Sequence, residues 1–130
     1  MFLSFDNQEA RRAFGGSRFA ELAYCKLKPG ASIRKILSSR SIPNWQNDGL
    51  FIYLDDLECF YSEYAEIFGD GIYNNHKSGR MDLFGINYYP PIRLKEIIRK
   101  IEDRKPLDYA VVSEWLKKGV SFNGFYVLGI

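Results

Sequence analysis

Few side chains in this sequence combine the types and spacing that chemistry requires. Its single histidine, His76, lies beside Lys77 and close to Arg80. An acid, a base and a cation near a scissile phosphate are what a nuclease needs, so these three form a candidate cluster. One histidine cannot supply the paired acid and base of a two-histidine mechanism, and a solvent-exposed loop histidine is the plainer reading. Cys59 and His76 can be drawn as nucleophile and base. Cys59 falls within a run of helical periodicity among large aromatics, however, which predicts a packed thiol.

Metal binding by Asp55, Asp56 and Glu58 fails on spacing. The run lacks the alternating ligands, central glycine and distal glutamate of a calcium loop, and helix N-terminal acids account for it. Gly15-Gly16 and Gly69-Asp70-Gly71 match neither a phosphate loop nor a dinucleotide fingerprint and read as turns. No metal or cofactor is expected from these residues. Arg11, Arg12, Arg18, Lys26, Lys28, Arg34, Lys35 and Arg40, interleaved with Phe14, Phe19 and Tyr24, could form an RNA-stacking surface. No recognisable nucleic-acid module accompanies them, so a solvated basic face is the plainer reading and no direct nucleic-acid partner is expected.

Charge carries more information. Between Ser41 and His76 lie Asp48, Asp55, Asp56, Glu58, Glu63, Glu66 and Asp70, with no Lys or Arg, giving −7; the rest of the chain holds all 18 basic residues against nine acids, or +9. The overall +2 therefore conceals a strong asymmetry. Such a stretch is either a solvated helix face or a docking face for a basic protein. Tyr53, Tyr61, Tyr64 and Tyr73 accompany the acids, and tyrosine is enriched at binding hot spots. The candidate partner-binding set is Trp45, Asp48, Asp55, Asp56, Glu63, Glu66, Asp70 and Tyr73, with Trp45 and Tyr73 as apolar anchors in flanking loops.

The elements that must position these residues can be read from periodicity. Asp6 and Glu9 resemble a capping box for a short helix ending at Gly15-Gly16. Ser17 to Leu27 reads as strand, and Ser32 caps a helix burying Ile33, Ile36 and Leu37. Ser41 to Gly49 is a loop, and Leu50 to Leu54 reads as a central strand. Leu57, Phe60, Tyr61, Tyr64 and Phe68 then make one apolar stripe, with the acids towards the other side. Gly69 to Gly79 reads as turns around a hairpin arm and Met81 to Tyr89 as strand, with Pro91 opening the next helix. Leu94, Ile97, Ile98 and Ile101 form its buried stripe, and Glu96 with Lys100 an exposed pair. After the break at Lys105-Pro106, a helix from Asp108 buries Val111, Val112, Trp115 and Leu116 and stops at Gly119. Phe122 to Leu128 closes the chain as a strand. This order predicts one α+β domain, a mainly antiparallel sheet packed by amphipathic helices, with the strands at Leu50 and Phe122 nearest its centre.

The 130 residues suffice for a single domain, and 46% hydrophobic with 16% aromatic content, including nine Tyr and ten Phe, excludes disorder. Cys25 and Cys59 lack zinc or redox spacing and read as reduced core thiols. Met1 to Ala10 has no basic n-region, and no apolar run approaches the roughly 18 residues of a membrane span, so a cytoplasmic protein with no membrane partner is expected.

The closing third runs from Leu83-Phe84-Gly85-Ile86-Asn87-Tyr88-Tyr89-Pro90 to Asn123-Gly124-Phe125-Tyr126-Val127-Leu128-Gly129-Ile130. It resembles a module of bacterial immunity proteins from contact-dependent growth inhibition and related polymorphic toxin systems. The shared features are a strand ending Tyr-x-Pro, an isoleucine-rich helix, a Lys-Pro break, a Trp-Leu helix and a final Asn-Gly-Phe-Tyr strand. The resemblance covers roughly the last 48 residues and implies a cytosolic, non-enzymatic protein. Its partner would be a cognate toxin C-terminal domain, commonly a basic nuclease, held stoichiometrically so that the active site or substrate surface is occluded. It carries no functional residue over. Two other readings stay open: an RNA-binding or ribonuclease domain using the basic surface with His76, and a non-enzymatic structural adaptor.

Overall fold

In the computed structural model, which describes residues 1–73 and 78–130, seven antiparallel strands form one sheet and five helices pack around it. The strands are β1 (Phe2–Leu3), β2 (Phe19–Tyr24), β3 (Leu50–Tyr53), β4 (Gly71–Tyr73), β5 (Ser78–Gly79), β6 (Ile86–Tyr89) and β7 (Phe125–Leu128), ordered β1-β3-β2-β7-β6-β4-β5. The helices are α1 (Gln8–Gly15), α2 (Ile33–Ile36), α3 (Leu57–Tyr64), α4 (Leu94–Arg104) and α5 (Tyr109–Lys118). The α+β class and the antiparallel sheet agree with the sequence expectation. No helix among the described residues is long and apolar enough to cross a membrane.

Strand alternation divides the side chains between two layers. Ala20, Leu22 and Tyr24 of β2, Leu50 and Ile52 of β3, and Phe125 and Val127 of β7 face α3, α4 and α5. Those helices contribute Leu57, Phe60 and Tyr64, then Leu94, Ile97 and Ile101, then Val112, Trp115 and Leu116. On the opposite face Ala23, Cys25, Tyr88 and Tyr126 pack under Ile36 and Leu37. Further along that face Phe5, Phe14, Phe19, Phe51 and Tyr53 form an aromatic cluster. The final strand is central, as expected. The strand at Leu50 is not: β3 lies second from the edge, because the missed two-residue β1 is all that pairs beyond it.

Local chemistry sets several boundaries. Asn7, not Asp6, caps α1, accepting from the Ala10 amide at 2.8 Å. Ser32 caps α2 as expected, accepting from Lys35 N at 3.2 Å. The expected strand from Met81 begins only at Ile86. The reason is Asn87, whose Oδ1 accepts from Asp82 N at 2.8 Å while its Nδ2 donates to Asp82 O at 2.7 Å, folding 82–86 into a turn. Val111, expected in the core, is 46% exposed, because Val112, Trp115 and Leu116 already define the buried face of α5. Cys25 is buried, but Cys59 is exposed on the outer side of α3, one position out of register with Phe60.

Candidate functional site

Helix α3 is preceded by a tight turn at Leu54–Asp56, and the chain leaves it through Phe68, whose amide donates to Tyr64 O at 3.0 Å. Leu57, Phe60, Tyr64 and Phe68 are buried beneath it. Asp55, Glu58, Ser62 and Glu66, three and four positions apart, therefore fall along its outer side, and all four are exposed. Asp56 is half-buried and, like Asp55, caps nothing with its side chain. Glu63 accepts from the Leu107 amide at 3.1 Å, fastening α3 to the α4–α5 connection.

Much of the sequence asymmetry is undone in space. Glu66 pairs with Arg104 at 3.1 Å and Asp70 with Arg93 at 3.3 Å, so the last residue of α4 and the residue that caps its start lend cations to the acidic stretch. Both acids keep most of their exposure, 90% for the Glu66 side chain and 68% for Asp70. Such exposed pairs are worth about 0 to 1 kcal/mol, so competing cations exchange with them readily. Beside the row, Tyr61, Ser62, Ala65, Glu66, Gly69 and Arg80 line a groove of about 340 Å³.

Of the candidate partner-binding residues, Asp55, Asp56, Glu63, Glu66 and Asp70 are thus grouped around α3 and its exit. Tyr73 lies on β4 in register with Asn87, half-buried, on the edge side of the sheet. Two residues stand apart. Asp48 sits at the opposite end of β3 from Asp55, its carboxylate 2.7 Å from Lys26 Nζ and its carbonyl accepting from Trp115 Nε1 at 2.7 Å. Trp45 is packed on the far face of the sheet, stacked on Phe51 at 5.5 Å under the Arg11 guanidinium. It is a structural ring there and not a neighbour of the acidic row.

The remaining candidate chemistry is dispersed. His76 and Lys77 lie outside the described residues. Phe19 and Tyr24 are buried, and Arg11 is drawn over Trp45 and Phe51, so the interleaved basic and aromatic run does not form one stacking surface. Among the described residues no three His, Cys, Asp or Glu side chains converge on a metal position. The accompanying tyrosines divide: Tyr64 is buried with its hydroxyl donating to Leu107 O at 2.6 Å, while Tyr61 and Tyr73 are only half-buried.

One charged group escaped the sequence reading. Glu21 alternates onto the second face of β2 between Phe19 and Ala23, where burial pushes its carboxyl from 4.5 up to about 7; Arg11 pulls it down and Asp48 raises it further. In the two charged groups that act on it, Arg11 Nε and Asp48 Oδ1 are themselves buried without hydrogen-bond partners among the described residues. A charge inside an otherwise apolar strand was the available signal. Comparison with known proteins finds no matching family model, no significantly similar curated protein and no significantly similar solved structure.

Proposed function

We propose that this protein is a cytoplasmic immunity protein that neutralises a basic toxin domain by stoichiometric binding, with the outer side of α3 as its docking face. The observation that carries this reading is the row Asp55, Glu58 and Glu66, exposed along the outer side of α3 and the turns that enter and leave it, beside a groove that offers Tyr61. Nuclease toxins present Lys and Arg to phosphates, and acids in a row both steer such a surface and occupy it. The ion pairs to Arg93 and Arg104 are compatible with this role, since a partner's cations can replace them at little cost. The resemblance of the closing third to immunity modules supports the same reading.

The test is co-expression with the C-terminal domain of a large secreted protein encoded beside its gene, followed by co-purification and a growth assay. The wild type is expected to co-purify with that domain and to protect cells. The Asp55→Lys, Glu58→Lys, Glu66→Lys triple variant is expected to fold and to lose protection. Full protection by the triple variant would move the interface elsewhere, and absence of any complex with the wild type would remove the assignment.

A further inference from the structure

On the sheet face opposite α3, Phe19, Ile86 and Leu128 floor a groove of about 270 Å³, walled by Ile42, Pro43 and Asn44 of the loop before β3. Glu21 is the one acidic side chain lining it, and no ion pair or hydrogen bond engages its carboxylate among the described residues. The nearby cation, Arg11, lowers its pKa by charge at a distance but makes no ion pair or hydrogen bond with it among the described residues. Arg11 instead lies 5.4 Å from the Trp45 ring centroid and 5.6 Å from that of Phe51. Asp48, of like charge, is held by Lys26 at 2.7 Å. A carboxylate between apolar walls is costly to ionise without a counter-ion, and apolar walls with one convergent charge are the usual makings of a ligand site.

We propose that this groove binds an arginine or lysine side chain of an extended peptide, with Glu21 as the counter-ion. The aliphatic stem of such a side chain lies against Phe19, Ile86 and Leu128, while the cationic head meets the carboxylate. Asn44, which also lines the groove, has an amide oxygen able to accept from remaining N–H groups. Because the floor runs across β2, β7 and β6, where Glu21, Leu128 and Ile86 are in register, peptide residues flanking the cation have apolar surface to cover, which favours a peptide over a free amine. This site lies across the sheet from the acidic row, so its test is independent of the function proposed above.

The probe is an acetylated Val-Arg-Val amide titrated into the full chain, followed by amide chemical shifts. Saturable shifts at Phe19, Glu21, Ile86 and Leu128 are expected. The citrulline analogue, which keeps the shape and loses the charge, should bind at least about tenfold more weakly, as should the Arg peptide to Glu21→Gln. Ile86→Lys, which places a tethered ammonium in the groove, provides a second variant and should likewise abolish the shifts. Since the peptide requires ionised Glu21, affinity should rise between about pH 6 and about pH 8. No saturation at about 10 mM peptide, equal binding of the citrulline analogue, or unchanged binding to either variant overturns the proposal. Free agmatine binding as tightly as the peptide would also overturn it, by making the site one for a small amine.

Discussion

Burial pushes the Glu21 carboxyl up to about 7, because the folded chain withdraws water from it and the charge of Arg11 offsets that only in part. Its folded pKa lies above the unfolded value, so the associated stability is present below pH 4.5 and is lost as pH rises through about 7. Glu21→Gln should therefore stabilise the protein above that range by about 2 to 3 kcal/mol and flatten its pH dependence, as read by urea melts at several pH values. Asn87 is the converse case, a buried amide fully employed. Its Nδ2 donates to Asp82 O at 2.7 Å and Val127 O at 2.9 Å, and its Oδ1 accepts from Asp82 N. Asn87→Ala strands those groups and opens a cavity, so a loss of about 2 to 4 kcal/mol is expected in the same melts. The tyrosines follow the same logic. Tyr24, Tyr64, Tyr88, Tyr89 and Tyr126 each donate a hydroxyl to a distant backbone carbonyl, at 2.6 to 2.7 Å. Burial pushes all five phenols up, Tyr24 to about 12. Much of the aromatic excess that suggests a sticky surface thus serves to join layers.

Among the elements, α4 and α5 form a hairpin whose connection depends on two residues in left-handed conformations, Lys105 at φ 48° and Asp108 at φ 57°. Lys105 is the C-terminal cap of α4, its amide donating to Ile101 O at 2.9 Å, a position that glycine fills without strain. Lys105→Gly is expected to stabilise the protein by about 1 kcal/mol, measured by thermal or urea unfolding. Ile101, fully buried at the middle of the helical layer, gives the opposite test. Ile101→Ala should cost about 2 to 5 kcal/mol, and the loss should be cooperative across the domain. Gly124 before β7 tolerates no side chain: φ is 81° and a Cβ would collide with the Tyr89 carbonyl.

At the scale of the whole molecule, the sheet separates two surfaces, an acidic helical row on one side and the groove holding Glu21 on the other. If the row steers a basic partner, association should slow as salt rises, because the Debye length shortens to about 8 Å at physiological ionic strength. Stopped-flow mixing with the toxin domain at two salt concentrations should show an on-rate that falls with salt for the wild type, and for the Asp55→Lys, Glu58→Lys, Glu66→Lys variant, whose lysines repel a basic partner, a much lower on-rate that rises with salt. Trp45→Ala, in contrast, should act through stability, since its ring is stacked within the fold and set apart from the row.

Periodicity in the sequence determined most elements of this protein and the buried faces of α3 and α4, because Leu57, Phe60, Tyr64 and Phe68 or Leu94, Ile97 and Ile101 recur at the helical repeat and have only the core to go to. It also determined the charge run itself. Only the tertiary structure decided which charges meet. Arg104 reaches Glu66 and Lys26 reaches Asp48 across wide sequence separations, and no local pattern encodes such pairing. The same holds for Trp45, whose neighbours Phe51 and Arg11 come from a strand and a helix that the sheet brings together. Glu21 was visible as a charge in an apolar strand, yet its isolation depends on a loop folding over one face of the sheet. Local spacing fixes which side of an element is apolar; long-range packing alone fixes what that element lies against.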